Sequence, residues 1–155
     1  MKIIGSVKED LDTEKRISIT PETVKKFTNL NCAIYLEKNY GSHLGISDKE
    51  YEISGAQLKN STKEVLEKSD ITLTFNCLSN EKITLIKNES IVIGQIDTHL
   101  NKENLNKLIK KNIKVFSLTL LPRITRAQSM DVLSSQANLA GYRAVIESIE
   151  EFDKA

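Results

Sequence analysis

Five short apolar runs, separated by segments that carry helix-start signals, constrain this chain more than any other feature. Lys2–Val7, Cys32–Glu37, Ile71–Phe75, Ser90–Gly94 and Lys114–Leu118 read as strands, being rich in aliphatic and β-branched residues. Helices are announced between them. Thr20-Pro21-Glu22 sets an N-cap, a proline at the first helical position and an acid in the first turn, with Val24 and Phe27 as the apolar face. Ser47-Asp48-Lys49-Glu50 and Ser61-Thr62-Lys63-Glu64 each match a capping box. Gly55 stands where a left-handed residue would end the first of these helices. Glu81–Ile86 reads as a further short helix, and Asn101 as the cap of Lys102–Lys111, whose Leu105, Leu108 and Ile109 share one face.

Strands that alternate with helices, and that are apolar runs rather than clean alternations, belong to a parallel sheet covered on both faces. The expected class is α/β: a doubly wound parallel sheet, Rossmann-like or flavodoxin-like in arrangement and ending in a long C-terminal helix. Ligands approach such sheets at the carboxyl ends of the strands. The 155 residues suit one domain, and the hydrophobic share of 39% suffices for a core if well patterned. With 22 basic against 21 acidic residues there is no electrostatic case for nucleic acid or an anionic membrane. Cys32 and Cys77 each fall within an expected strand and read as reduced core residues. With only His43 and His99 besides, no metal site is expected. No signal peptide is visible and no apolar stretch approaches the ~20 residues that span a bilayer.

The last segment has a different scale. Met130, Leu133, Ala137, Ala140, Val145, Ile149 and Phe152 recur at helical spacing, which predicts one helix over Gln128 to Phe152, roughly 35–40 Å long. A helix that outruns its own small sheet suits a junction, so a further segment is expected to follow it. Ahead of it, Pro122 to Asp131 packs Arg123, Arg126, Gln128 and Asp131 onto the joint between the last strand and this helix. An arginine can fork onto a phosphate or a carbonyl, and an amide can donate and accept at once, which suits a carboxamide or a ribose hydroxyl. Gln128 and Asp131 are three apart and share a face if the helix has begun. The other reading puts Asp131 near the helix N-terminus for its dipole and leaves the arginines solvated. The residues alone leave both open.

Other constellations are weaker. The six glycines form no GxGxxG, so the usual cradle for a dinucleotide pyrophosphate is missing, and Gly41-Ser42-His43-Leu44-Gly45 reads as a turn. His99 lies just past an expected strand, on the ligand side. Lys8, Glu9 and Arg16 flank the loop after the first strand; a solvated loop is the favoured reading, with carboxylate contact by Arg16 as the functional one.

The stretch Pro122-Arg123-Ile124-Thr125-Arg126-Ala127-Gln128-Ser129-Met130-Asp131, continued by Leu133-Ser134-Ser135-Gln136-Ala137-Asn138-Leu139-Ala140-Gly141-Tyr142-Arg143-Ala144-Val145, resembles the α subunit of proton-translocating NAD(P) transhydrogenase. Lys8-Glu9 and Arg16-Ile17-Ser18-Ile19-Thr20-Pro21-Glu22 agree with it. The likeness covers nearly the whole chain, residues 1–155, as an alanine dehydrogenase/transhydrogenase N-terminal-type domain. It implies the first of two Rossmann-like subdomains, with the glycine-rich NAD-binding half outside this chain. NAD(H) would lie in the cleft shared with that half, and NADP(H) on a partner component. No metal is implied. Arg123, Gln128, Asp131 and Ser134 match cofactor-contacting positions, with Gln128 and Asp131 as the catalytic candidates. Hydride transfer between NAD(H) and NADP(H) would be the activity, with positioning as the chain's contribution.

The implied partners are the remaining transhydrogenase components, including the NADP(H)-binding and membrane domains, with a homodimer in the full assembly. The implied place is cytoplasmic, peripheral at the inner membrane through those partners. The same fold serves alanine dehydrogenase. Its lysine after the third strand has no counterpart in Leu73-Thr74-Phe75-Asn76, and His99 is offset from the expected histidine, which argues against an oxo-acid enzyme. A non-catalytic assembly or nucleotide-binding fragment is the remaining alternative.

Overall fold

The computed structural model describes residues 1–152, and these divide into two compact units, Met1–Ser117 and the segment from Leu118 onward. The first unit holds six parallel strands: β1 (Lys2–Ser6), β2 (Cys32–Glu37), β3 (Ala56–Lys59), β4 (Ile71–Leu73), β5 (Ile91–Gly94) and β6 (Lys114–Ser117). Their spatial order is β3-β2-β1-β4-β5-β6. That is the Rossmann order of a doubly wound sheet, with direction of growth reversing between β1 and β4. The doubly wound, Rossmann-like class is as expected, with one strand more than the five read from the sequence. Ala-Gln-Leu-Lys at β3 is short and lacks β-branched residues, so composition hides it. It forms by pairing with β2 over Ile34↔Ala56 to Glu37↔Lys59.

Five helices connect these strands: α1 (Pro21–Asn29), α2 (Asp48–Ile53), α3 (Thr62–Lys68), α4 (Asn80–Leu85) and α5 (Lys102–Lys110). The caps follow the sequence closely. Thr20 accepts from Thr23 N at the start of α1, Ser47 and Glu50 make both bonds of a capping box, and Ser61 accepts from Glu64 N. Gly55 ends α2 at φ 101°, where a side chain would be strained. Asn101 occupies the N-cap of α5 without capping it; its amide nitrogen donates instead to the Asp97 carbonyl at 2.8 Å.

Register decides which helix covers which strand. Ile4 and Ile34 are partners across β1 and β2, and both pack with Val24 of α1 and Tyr51 of α2. On β5, Val92 packs with Ile83 of α4 and Leu108 of α5. Both cysteines are half-buried and free, but Cys77 lies in the loop after β4 rather than in a strand. Burial raises the pKa of its thiol, which disfavours the reactive thiolate.

The second unit is built differently from the single helix expected over Gln128 to Phe152. Leu118–Leu120 and Thr125–Met130 are 3₁₀ turns, Asp131 breaks the run at ψ 88°, and only then does α6 (Val132–Glu150) begin. Its 19 residues span about 28 Å. Apolar spacing runs smoothly through the break, so periodicity alone overlooks it. Among the described residues no helix is long and apolar enough to cross a membrane.

Candidate functional site

Within the second unit, the polar joint folds into a pocket. Pro122 begins it with an extended segment, and the Ile124 N–H closes back on the Pro122 carbonyl at 2.9 Å. The 3₁₀ turn Thr125–Met130 then carries Gln128 round to the N-terminus of α6. The result is a concavity of ≈ 300 Å³ lined by Pro122, Arg123, Ile124, Thr125, Gln128, Asp131 and Ser134. All four residues singled out by resemblance, Arg123, Gln128, Asp131 and Ser134, therefore face one space. Gln128 and Asp131 do so across a 3₁₀ turn and a helix cap, not along one face of α6.

Asp131 is the N-cap of α6. Its carboxylate accepts the Ser134 N–H at 3.0 Å and the Ser134 hydroxyl at 2.6 Å. These bonds hold its pKa below the usual aspartate value, with the positive charge of Arg123 a smaller contribution. The pocket thus offers a guanidinium, a primary amide, an ionised carboxylate and a hydroxyl. Its size is at the low end for small-molecule sites. Its mix of donors and acceptors can meet an amide or hydroxyl groups. No glycine-rich turn lies in it to receive a pyrophosphate.

The other candidates lie in the first unit and are differently employed. Arg16 donates from Nε and a terminal nitrogen to Glu14, at 2.8 and 2.6 Å, and its guanidinium sits 3.9 Å from the centre of the Phe75 ring. Glu14 is buried, and the hydrogen bond from Arg16 lowers its pKa. Lys8 pairs with Glu37 at 3.8 Å. The His99 side chain is exposed; its N–H and that of Leu100 both donate to the Asp97 carboxylate, making a tight turn. The loop after β1 is exposed over Asp10–Thr13 and at Lys15 and Arg16, as a solvated loop is, with Glu14 alone buried inside it.

Ser6 and Tyr40, given no role by sequence reasoning, stitch the switch point between β1 and β4. The Ser6 hydroxyl donates to the Leu73 carbonyl and shares a hydrogen bond with the Tyr40 hydroxyl, each at 2.8 Å. Tyr40 in turn accepts the Ser18 N–H at 3.1 Å. The available signal is weak: a serine ending a strand and a lone tyrosine after the next.

Comparison with known proteins decides the family. The model for the alanine dehydrogenase/PNT N-terminal domain matches residues 5–140. The chain belongs to this family. It is 37% identical over 159 residues to the first portion of NAD(P) transhydrogenase subunit alpha of Rickettsia prowazekii, aligning over 100% of the chain but only 41% of that relative. The crystal structure of transhydrogenase from Sinorhizobium meliloti superposes with a TM-score of 0.92 at 37% identity, covering 99% of this chain and 46% of that one. An L-alanine dehydrogenase structure shares the fold at 18% identity, with a TM-score of 0.70 over 75% of this chain and 32% of its own. The chain thus spans less than half the length of the proteins it resembles.

Proposed function

We propose that the chain supplies part of the NAD(H) site of a proton-translocating NAD(P) transhydrogenase, as the first half of the NAD(H)-binding component. The observation that carries this reading is the convergence of Arg123, Gln128, Asp131 and Ser134 on one pocket. The similarity to transhydrogenase proteins of Rickettsia prowazekii and Sinorhizobium meliloti supports it. The glycine-rich half that would hold the phosphates belongs to a segment or subunit other than these residues.

NAD(H), when bound, supplies or receives the hydride. The work of this chain is positioning. Arg123 and the Gln128 amide orient the nicotinamide and its ribose. Asp131 fixes Ser134 and the start of α6, so the loop presents its donors in one geometry. No side chain of the pocket needs to move a proton, because alignment of donor and acceptor carbons is the contribution required. The partners under this reading are the NADP(H)-binding and membrane components, with the domain held at the inner membrane through them.

The test is reconstitution with the missing components and an NADP⁺ analogue as acceptor. Hydride transfer should appear on mixing and fall about 100-fold with Gln128→Ala or Asp131→Ala. Unchanged turnover in both variants refutes the role given to the loop.

A second reading has one observation behind it. Leu139, Tyr142, Val145 and Ile149 on α6 are exposed, and a groove of ≈ 520 Å³ runs past Val145, Ile149 and Phe152. A non-catalytic assembly module would use that stripe to self-associate. Light scattering separates the two: a monodisperse monomer at high concentration counts against assembly through α6.

A further inference from the structure

Successive side chains of a strand point to opposite faces of the sheet. On β5, Val92 packs under α4 and α5, so Ile91 and Ile93 point the other way. Register carries their face across three strands. Leu73, Ile93 and Phe116 make one row, and Ile71, Ile91 and Lys114 the next. All but the lysine are apolar. α1 and α2 cover the same face over β1 and β2, where Ile4 and Ile34 meet Val24 and Tyr51. Beyond β4 the cover stops. Among the described residues Ile91, Ile93 and Phe116 join none of the packed clusters, and Phe116 is 56% exposed. A parallel sheet is normally buried on both faces, so this half of one face is a helix short.

α6 carries the complementary surface. Tyr142, Val145, Ile149 and Phe152 recur at three- and four-residue spacing and are all exposed. At ~100° per residue, Glu150 and Glu151 flank that stripe on either side. Polarity then aligns the charges. Each of α1 to α5 leads towards the amino end of the strand that follows it, so these helices run antiparallel to the strands. A helix laid on the open face in the same sense brings its C-terminal end to the amino ends of β4, β5 and β6. Lys114 stands there, exposed, and Lys2 and Lys87 border a hollow of ≈ 310 Å³ shared with Ile71 and Ile91, against Asp70 and Glu89. Lys87 is already paired with Asp70 at 2.7 Å. Lysines at this end also suit the negative end of a helix dipole.

We infer that the open half-face of the sheet receives α6 of a second copy of this chain. The 142–152 stripe lies across Ile91, Ile93 and Phe116, with Glu150 and Glu151 set against Lys114 and Lys2. Reciprocal exchange of α6 closes a two-fold dimer. The inference rests on the self-association reading and extends it by naming the surface that takes the helix; it makes no use of the nicotinamide reading.

The experiment is light scattering over a dilution series of the 155-residue chain and its variants. The wild type should run at twice the chain mass and dissociate on dilution. Phe116→Asp on the sheet and Ile149→Asp on α6 should each weaken the dimer about 10-fold or more, with unchanged circular dichroism. Mixing these two variants should restore association between them, because one brings an intact helix and the other an intact sheet face. Lys114→Glu should weaken the dimer roughly 2–5-fold, and adding Glu150→Lys and Glu151→Lys should recover it. A wild type that stays monomeric at high concentration overturns this inference and the self-association reading together. A dimer indifferent to Phe116→Asp, or one lost in Ile149→Asp and not restored by mixing, overturns this inference alone. Should Phe116→Asp fold poorly, the charge exchange at Lys114 decides, and a failure to recover the dimer overturns the inference.

Discussion

The Asp131 carboxylate holds Ser134 twice, by its N–H at 3.0 Å and by its hydroxyl at 2.6 Å. One side chain therefore caps α6 and fixes a hydroxyl at the rim of the loop pocket. Removing it should fray the first turn of α6. Asp131→Ala should lose helical circular dichroism that Asp131→Asn largely keeps. The pH dependence has a definite sign. The folded pKa lies below the unfolded one because Ser134 favours the ionised form. The contribution is present in full above the ordinary aspartate range and is lost as pH falls through the lowered folded value. Wild type and Asp131→Asn should differ at neutral pH and converge in acid.

Glu14 and Arg16 carry the same logic into the first unit. Glu14 is buried, and Arg16 meets it with Nε, a terminal nitrogen and its own N–H. Glu14→Gln should cost about 1–2 kcal/mol, allowing for the solvent that reaches Arg16. The Glu14 pKa is lowered, so this stabilisation persists above the usual glutamate range and fades as pH drops through the folded value. Urea titrations of both proteins at neutral pH and in acid measure the gap closing.

Lys111 caps a helix from outside it. Its ammonium donates to the carbonyls of Ile83, Thr84 and Ile86, at 2.9, 2.8 and 2.8 Å, at the end of α4. Lys111→Met leaves those acceptors without the donor and should lower stability by about 1–2 kcal/mol. Lys111→Arg should not restore it, because a planar fork cannot point at three convergent carbonyls. Chemical denaturation gives both numbers.

Gly94 allows β5 to pass β4. A Cβ there would stand 2.5 Å from the Thr74 carbonyl oxygen, so Gly94→Ala must push backbone from backbone. A loss of about 1–3 kcal/mol is expected, together with faster amide exchange at Thr74 and Gln95, whose N–H groups donate to Ile93 and Phe75.

Elements with a local chemical signature are legible in the sequence. Thr20-Pro21, Ser47 with Glu50, and Gly55 all do what their residue types dictate, because caps are decided within a few residues. What needs tertiary structure stays hidden. The strand at Ala56–Lys59 exists through its pairing with β2, and without it one doubly wound order passes for another. The break at Asp131 lies inside an unbroken apolar rhythm, so spacing alone starts the last helix at Gln128 when α6 begins at Val132. The four pocket residues stand out through a long motif that resembles a family, where composition alone leaves the loop undecided. Glu14, buried against a neighbour two positions on, gives no sign of its burial. The Ser6–Tyr40 contact joins residues 34 apart, a distance no local pattern spans.

The central claim is that the Arg123-to-Ser134 loop forms part of a nicotinamide site. Its most direct test is a chimaera in which this chain replaces the matching segment of the α subunit from Rickettsia prowazekii, assayed for hydride transfer from NADH to an NADP⁺ analogue. The account predicts transfer by the folded chimaera and about a 100-fold loss with Gln128→Ala. A folded chimaera without transfer, or one indifferent to Gln128→Ala, would contradict it.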